Sequence, residues 1–380
     1  VNVLIAPDKF KGTLSAHGAA RAIARGLGTR TDIHTREIPV ADGGDGTAEV
    51  ICDALGGEWK TLRVQDPLGR QITARYAWIA GDSTAFIEMS EAAGLRRGRH
   101  EELDPMRYTT FGVGELIRHA IRQDAKRIVL GLGGSATNDG GIGMAAALGF
   151  EFLTSDGEPI EPIPANLLAL TRIEAPSSGE WLRLAREADS PADGVAIIAA
   201  CDVRNPLLGE RGATRIFGPQ KGADARTIEI LEKGLRNLAD VVAEEFGHDF
   251  RETPGAGAAG GLGFGLLSFC SATVRSGFEV VAETLKLEQA IAGSDLVITG
   301  EGRLDAQTLE GKAAAGVATL ARRHHKPVLA IAGSVVEEAQ LSGHFTAVHA
   351  LVTGNVTIQD AMNEPAKLLE ACAARLAPGL

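Results

Sequence analysis

The stretch VNVLIAPDKFKGTLSAHGAARAIARG (1–26) reads as a strand, a polar loop and a helix. Val3 to Ala6 is an apolar run of strand length, Pro7 to Leu14 carries the polar side chains, and Ser15 can cap a helix from Ala16 to Gly26. This is the repeating unit of a parallel sheet, and it recurs along the chain. A strand over Ile33 to Val40 runs through ADGGDGT (41–47) to a helix from Ala48 to Leu55, with Thr47 as its cap. Arg127 to Leu132 runs through a glycine-rich loop, Gly133 to Gly141, to a helix from Ile142 to Leu148. Leu296 to Thr299, approached from Ser294, runs through GEGRLDAQTLEG (300–311) to a helix near Lys312 to His324. Val328 to Ala332 and Ala350 to Thr353 are further strands, and a helix from Ile358 to Ala374 closes the chain. Thr110 to Gly112 leads a helix from Val113 to Gln123 whose Val113, Leu116, Ile117, Ala120 and Ile121 form one apolar stripe. The pattern predicts an α/β fold with a mostly parallel sheet covered on both faces. Ligands of such sheets sit beyond the carboxyl ends of the strands, where all the polar loops lie.

Two stretches depart from this pattern. Residues 61–90 alternate in polarity on both sides of Asp66 to Gly69, as a hairpin does. Residues 150–222 are rich in Pro and Gly and hold short strands such as Val195 to Ala199. The expected organisation is a discontinuous domain, 1–60 plus 290–380, with a mixed α/β domain inserted over 61–289. Residues 103–149 can belong to either. GAGAAGGLGFG (255–265) is locally biased but adjoins an apolar stretch, so it is not read as a linker.

Composition excludes several classes of function. With 380 residues and 44% hydrophobic content, the chain can build its core without disulfides or a structural metal. A net charge of −11 disfavours nucleic acid and anionic membranes, and 4% aromatics leaves little to stack bases on. Glycine is abundant, 47 residues, but irregularly spaced, which excludes collagen. The apolar start is too short for a signal peptide and no window is lipid-like, so the expected location is cytoplasmic. Cys52, Cys201, Cys270 and Cys372 share no metal-ligand spacing. Cys201, beside Asp202, is read as a small buried neighbour of a site rather than a nucleophile.

The loops carry the chemistry. Asp8, Lys9 and Lys11 lie between a strand end and a helix start, where an anion meets free amides. Asp42 and Asp45 can face Mg²⁺ or substrate hydroxyls; capping is the plainer reading for Asp45. In GLGGSATNDGG (131–141), backbone amides and hydroxyls can surround phosphoryl oxygens, and Asn138 and Asp139 can position a hydroxyl or a metal-bound water. Asp202 and Asn205 stand at a strand end, with Pro206 stiffening the exit. Lys221 is either a phosphate contact or a solvated turn lysine. Glu301, Arg303, Asp305, Gln307, Thr308 and Lys312 crowd one connection, where Ala306 and Ala313 break a Walker A pattern. No GxSxG elbow and no HExxH is present, and the adjacent His324 and His325 fit a helix C-terminus. Phosphoryl transfer needs charge placement more than a strong nucleophile, and these loops supply it.

The chain resembles the type I glycerate kinases over nearly its whole length. The stretches that carry the resemblance are APDKFKGTLSA (6–16), ADGGDGTAEV (41–50), DPLG (66–69), TTFGVGELI (109–117), GLGGSATNDGG (131–141), CDVRNPLLG (201–209), FGPQKGA (217–223), PGAGAAGGLG (254–263) and ITGEGRLDAQTLEGKA (298–313). Relatives often have Ser where Lys9 stands and Glu where Asp45 stands. Neither change removes a charge, and a surface variant is the plain reading of Lys9.

The resemblance implies a Rossmann-like, mostly parallel sheet domain with a second mixed α/β domain inserted into it. It implies phosphorylation of D-glycerate by ATP with Mg²⁺ in a cleft between the domains, usually giving 2-phosphoglycerate. On this reading Asp42, Asp202 and Lys11 are catalytic, and Asp8, Asp45, Arg303 and Asp305 bind substrate. Gly134, Ser135, Asn138, Asp139, Lys221 and Lys312 bind nucleotide, while Asp202 and Asp305 hold the metal. Asp42 is a further metal candidate, and base and metal ligand are not separated. The expected partner is the small-molecule substrate alone, without nucleic acid or membrane, and a homodimer is left open. The alternatives are a 3-phosphoglycerate-forming enzyme, a kinase for a related hydroxy acid, and a regulatory protein that binds glycerate or nucleotide without turnover.

Overall fold

The computed structural model describes residues 1–95, 103–177, 194–305, 308, 312–336 and 343–379. Ala306, Gln307 and residues 309–311 of the last polar loop lie outside the described residues. The chain forms two compact units, Val1–Leu55 with Ser276–Leu380, and Gly56–Arg275. Residues 103–149 fall in the second unit. Both units are α/β, and most of the strand pairs are parallel.

In the first unit, five parallel strands lie in the order Ala347–Ala350, Val328–Val335, Leu296–Leu304, Asn2–Ile5, His34–Glu37. Register is set by pairs such as Leu4↔Val297 and Leu4↔Arg36. Val3, Ile5, Ile298 and Ile331 meet Ile23 and Leu27 of the Ala16–Leu27 helix and Leu369 of the Pro365–Leu376 helix. Ser15 caps the first helix by accepting from Gly18 N at 3.1 Å. From the first strand the chain goes to one neighbour, and it returns much later on the other side. The loops at the carboxyl ends of Asn2–Ile5 and Leu296–Leu304 therefore diverge, which is the switch-point geometry that leaves room for a ligand.

In the second unit, six strands lie in the order Thr273–Arg275, Ala196–Ala200, Arg127–Gly131, Thr84–Glu88, Gln71–Ile79, Glu58–Gln65. The first four are parallel, and the hairpin Glu58–Gln65 with Gln71–Ile79 closes the sheet antiparallel. Leu116, Ile117, Ala120 and Ile121 of the Phe111–Arg122 helix are all fully buried, as the stripe predicts. Phe150, Phe152 and Phe246 pack edge-on around Phe269.

Several elements differ from the sequence reading for local reasons. Strand Leu296–Leu304 continues five residues into the expected loop, pairing Gly300 with Ile331 and Arg303 with Ser334. The closing helix is two, Ile358–Asn363 and Pro365–Leu376, because Pro365 lacks an amide hydrogen and disfavours helical backbone at Glu364. Thr47 is the first residue of its helix rather than the cap, and its hydroxyl donates to Gly44 O at 2.7 Å. The last strand is Ala347–Ala350, not Ala350 to Thr353. Ser294 is buried with its hydroxyl on Ile291 O, closing the preceding Leu287–Ala292 helix.

Candidate active site

The first unit gathers carboxylates at its switch point. Asp8 follows the first strand, and its amide donates to Gly300 O at 2.8 Å, which ties its loop to the neighbouring strand. The side chain is buried and accepts from Lys9 N at 2.6 Å. Burial pushes its carboxyl up to about 7; Asp42 and Glu301 add to the shift, and Lys9 opposes it. Glu301 is also buried, and burial raises it as well, against Lys312 and Thr308 and with Asp42 and Asp305 pushing the same way. Asp8, Asp42, Glu301 and Asp305 thus share one field.

Each carboxylate is held by local geometry. Asp42 accepts from Gly44 N at 3.1 Å, an Asx-type turn that fixes its side chain over the loop. A Cβ on Gly277, which opens the Gly277–Thr284 helix, lies 2.2 Å from Asp42 O, so only glycine lets that helix approach the loop. Lys9 is half-buried and its ammonium donates to the Asp45 carbonyl, linking the first two polar loops. The surface-variant reading of Lys9 is therefore corrected. Asp45 is half-buried and Lys11 is exposed. Thr308 donates to Glu301 Oε1 at 3.0 Å and accepts from Asp305 N at 3.1 Å. Lys312, at the start of the Ala313–Arg323 helix, lies 3.7 Å from Glu301 Oε2 and 3.9 Å from Asp305 Oδ1. Arg303 pairs with Asp305 Oδ2 at 3.2 Å and keeps its side chain 63% exposed, free to meet an anion.

The second unit holds the glycine-rich loop. Asp139 is fully buried. Its Oδ2 accepts from Thr110 N at 2.7 Å, Thr110 Oγ1 at 2.8 Å and Gly143 N at 3.2 Å, and its Oδ1 accepts from Gly141 N at 3.0 Å. These donors occupy both oxygens, so the geometry makes Asp139 a clamp between TTFG and the loop rather than a group facing a nucleotide. Asn138 is fully buried, with its amide nitrogen on Thr214 Oγ1 at 3.0 Å and its Oδ1 without a hydrogen bond. Ser135 Oγ accepts from Thr137 N at 3.1 Å. Gly134 is exposed at φ +71, and its carbonyl accepts from Leu95 N. The amides of Gly133 and Gly134 have no partner among the described residues, so they are available to an anion.

Lys221 is 2% exposed, not a solvated turn lysine. Its ammonium donates to Thr137 O at 2.6 Å and lies 3.4 Å from Ser135 Oγ. Asp202 is half-buried just beyond the Ala196–Ala200 strand. Asn205 ties back to Arg211 O at 2.7 Å. Cys201 is half-buried, its thiol donates to Val203 O at 3.2 Å, and burial pushes it up to about 12, against thiolate formation. Asp66 of DPLG is a turn builder, accepting from Leu68 N and Arg70 N at 2.9 Å each.

Of the expected site residues, Asp8, Lys11, Asp42, Asp45, Arg303, Asp305 and Lys312 belong to the first unit. Gly134, Ser135, Asn138, Asp139, Asp202 and Lys221 belong to the second. The residue that the sequence reading named in its loop but gave no role is Glu301. Its signal was present: it is the first acidic residue after an apolar strand end, and a strand continuing through GEGRL buries it.

A doubly wound parallel sheet with acidic and basic groups at its switch point, and a second unit that bears a glycine-rich loop after a buried strand, are features of small-molecule phosphotransferases. Residues 3–379 match the model of the glycerate kinase family. A glycerate kinase of Halalkalibacterium halodurans is 41% identical over 378 residues, covering 99% of this chain and 97% of that protein. A glycerate 2-kinase of Escherichia coli is 41% identical over 365 residues, covering 95% and 93%. A crystal structure described as a candidate glycerate kinase 2 from Salmonella typhimurium LT2 superposes with a TM-score of 0.87 at 40% identity, covering 100% of this chain and 98% of that one. The chain belongs to the glycerate kinase family.

Proposed function

We propose that this chain transfers the γ-phosphoryl group of ATP to the 2-hydroxyl of D-glycerate, giving 2-phosphoglycerate and ADP. The observation that carries the reading is the convergence of Asp8, Asp42, Glu301 and Asp305 with Lys312 at the switch point. The choice of the 2-hydroxyl is supported by the similar glycerate 2-kinase of Escherichia coli.

In the proposed reaction the substrate hydroxyl oxygen forms a bond to the γ-phosphorus while the bond from that phosphorus to the bridging oxygen of ADP breaks. The hydroxyl proton passes to a carboxylate. Asp42 is assigned that proton, being half-buried and fixed by Gly44 N. Lys11 and Arg303 hold the glycerate carboxylate, and Asp8 and Asp45 meet its hydroxyls. Lys312 is assigned to the phosphates. The amides of Gly133 and Gly134, without a partner among the described residues, and the Ser135 turn are assigned to the nucleotide. Asn138 positions that turn.

The residues present fit Mg²⁺. Asp305 Oδ1 is a buried, hard oxygen without a hydrogen bond. Among the described residues no group of three or more His, Cys, Asp or Glu side chains is arranged to hold a metal. Magnesium suits such a protein, since it is usually bound through one or two carboxylates plus substrate phosphates. Asp305 is assigned to it, and Asp202 is the alternative carboxylate. When bound, Mg²⁺ neutralises charge on the β- and γ-phosphate oxygens.

The test is ADP release measured with D-glycerate and with a panel of other small hydroxy acids, with and without Mg²⁺. The reading predicts turnover that needs both glycerate and the metal. Equal turnover with another hydroxy acid contradicts the substrate assignment. Ligand binding without ADP release indicates a sensor instead.

A further inference from the structure

We infer that Lys221 is a positioning residue for the glycine-rich loop, holding Thr137 and Ser135 so that the amides of Gly133 and Gly134 meet the nucleotide phosphates. This rests on the reading of residues 131–141 as a nucleotide contact and gives Lys221 a role in it other than touching phosphate.

Three observations carry it. The side chain is 2% exposed and its ammonium is spent on the loop itself, on Thr137 O at 2.6 Å and Ser135 Oγ at 3.4 Å. The short segment bearing it, helix Ala213–Phe217 and the turn Pro219–Lys221, also grips the next residue of the loop through Thr214 Oγ1 and Asn138. Elsewhere the loop is fastened by the Asp139 clamp and by backbone, Ala136 N to Ala93 O at 2.9 Å and Gly140 N to Gly260 O at 3.0 Å, while the amides of Gly133 and Gly134 have no partner among the described residues. A buried lysine without a carboxylate clamped to it is costly unless its acceptors need it. Asp139 is the charged group acting on Lys221, and the oxygens of Asp139 are held by Thr110, Gly141 and Gly143.

The arrangement is sensitive to pH. Burial lowers Lys221 to about 7 against the pull of Asp139. The ammonium therefore empties as pH rises through that value, and its grip on Thr137 O and Ser135 Oγ weakens. Phosphate arriving at the loop favours the charged form, so nucleotide binding near pH 7.5 takes up protons.

The experiment uses the full chain and its Lys221→Met and Lys221→Arg variants, with thermal unfolding to verify folding. Loss of a buried charged hydrogen bond predicts a rise of about ten- to hundredfold in KM for ATP in Lys221→Met, with KM for glycerate unchanged. Between pH 7 and 9 the wild-type KM for ATP rises, the Met variant is flat, and Lys221→Arg, charged throughout, recovers part of the affinity and is flat as well. A folded Lys221→Met with KM for ATP within twofold of wild type overturns the inference. So does a loss confined to kcat, which would mark a contact made only in the transition state. Hydrogen exchange of residues 133–137 in the wild type, with and without ATP, tests the underlying reading separately. If ATP gives no protection there, the loop is not a nucleotide contact and the inference falls with it. If ATP protects the loop but the variants behave as wild type, only the role of Lys221 is lost. Should Lys221→Met not fold, Ser135→Ala is read in its place. A rise of about threefold in KM for ATP supports the inference, and a smaller change overturns it.

Discussion

Thr110 holds Asp139 twice, by its amide at 2.7 Å and its hydroxyl at 2.8 Å, and so fastens the start of the Phe111–Arg122 helix to the glycine-rich loop. The same hydroxyl accepts from Met144 N at 2.9 Å, extending the clamp into the Ile142–Ala147 helix. Asp139→Ala leaves at least three buried donors without an acceptor and is expected to cost about 3 kcal/mol or more. Thr110→Val removes the hydroxyl alone and is expected to cost less, about 1.5–3 kcal/mol. Denaturant midpoints check both. An unchanged midpoint for Asp139→Ala shows that the clamp is not structural.

Asp8 gives a dependence on pH. Its folded-state carboxyl lies near 7, above the ordinary value of 3.8, because burial and Asp42 disfavour the anion. A raised carboxyl favours folding fully below pH 3.8, and that advantage is lost as pH rises towards 7. Asp8→Asn removes the penalty. Its thermal stability relative to wild type should improve steadily between about pH 4 and 7 and level off above that. A constant difference across this range contradicts the assignment.

The run PGAGAAGGLG serves a close backbone approach. A Cβ on Gly260 lies 1.9 Å from Thr137 O, and the residue sits at φ +68. Gly260→Ala should therefore displace Thr137, lower stability by several kcal/mol and raise KM for ATP in whatever protein folds. A folded variant with wild-type affinity for ATP shows that the spacing is not needed for binding.

Asp42 and Asp202 are the residues whose loss should hurt turnover most. Alanine at either is expected to lower kcat/KM by about a hundredfold or more. A loss within tenfold, about 1.4 kcal/mol, removes that residue from the mechanism. Substrate saturation curves for both ligands, on protein with unaltered thermal unfolding, decide this.

Much of this architecture was legible because it follows from short-range rules. Ser15 before an apolar-periodic segment announced the first helix, and the stripe Val113 to Ile121 announced a buried one. Polar loops after apolar strands marked the carboxyl edge of the sheet. Side-chain orientation was not legible in the same way. Asp139 and Lys221 look like ligand contacts in one dimension, yet long-range partners, Thr110 for one and Thr137 for the other, turn both into the framework. Glu301 was obscured by the two glycines that flank it. Gly300 permits a close strand pairing with Ile331, and the strand continues where glycine suggested a loop. Lys9 looked like a surface residue because its acceptor, the Asp45 carbonyl, belongs to a loop 36 residues away.

Phosphorus and carbon NMR of the product formed from D-glycerate, ATP and Mg²⁺ tests the central claim most directly. The account predicts ADP and a phosphomonoester on carbon 2 of glycerate. A phosphomonoester on carbon 3, or unreacted ATP and glycerate in the presence of folded protein, contradicts it.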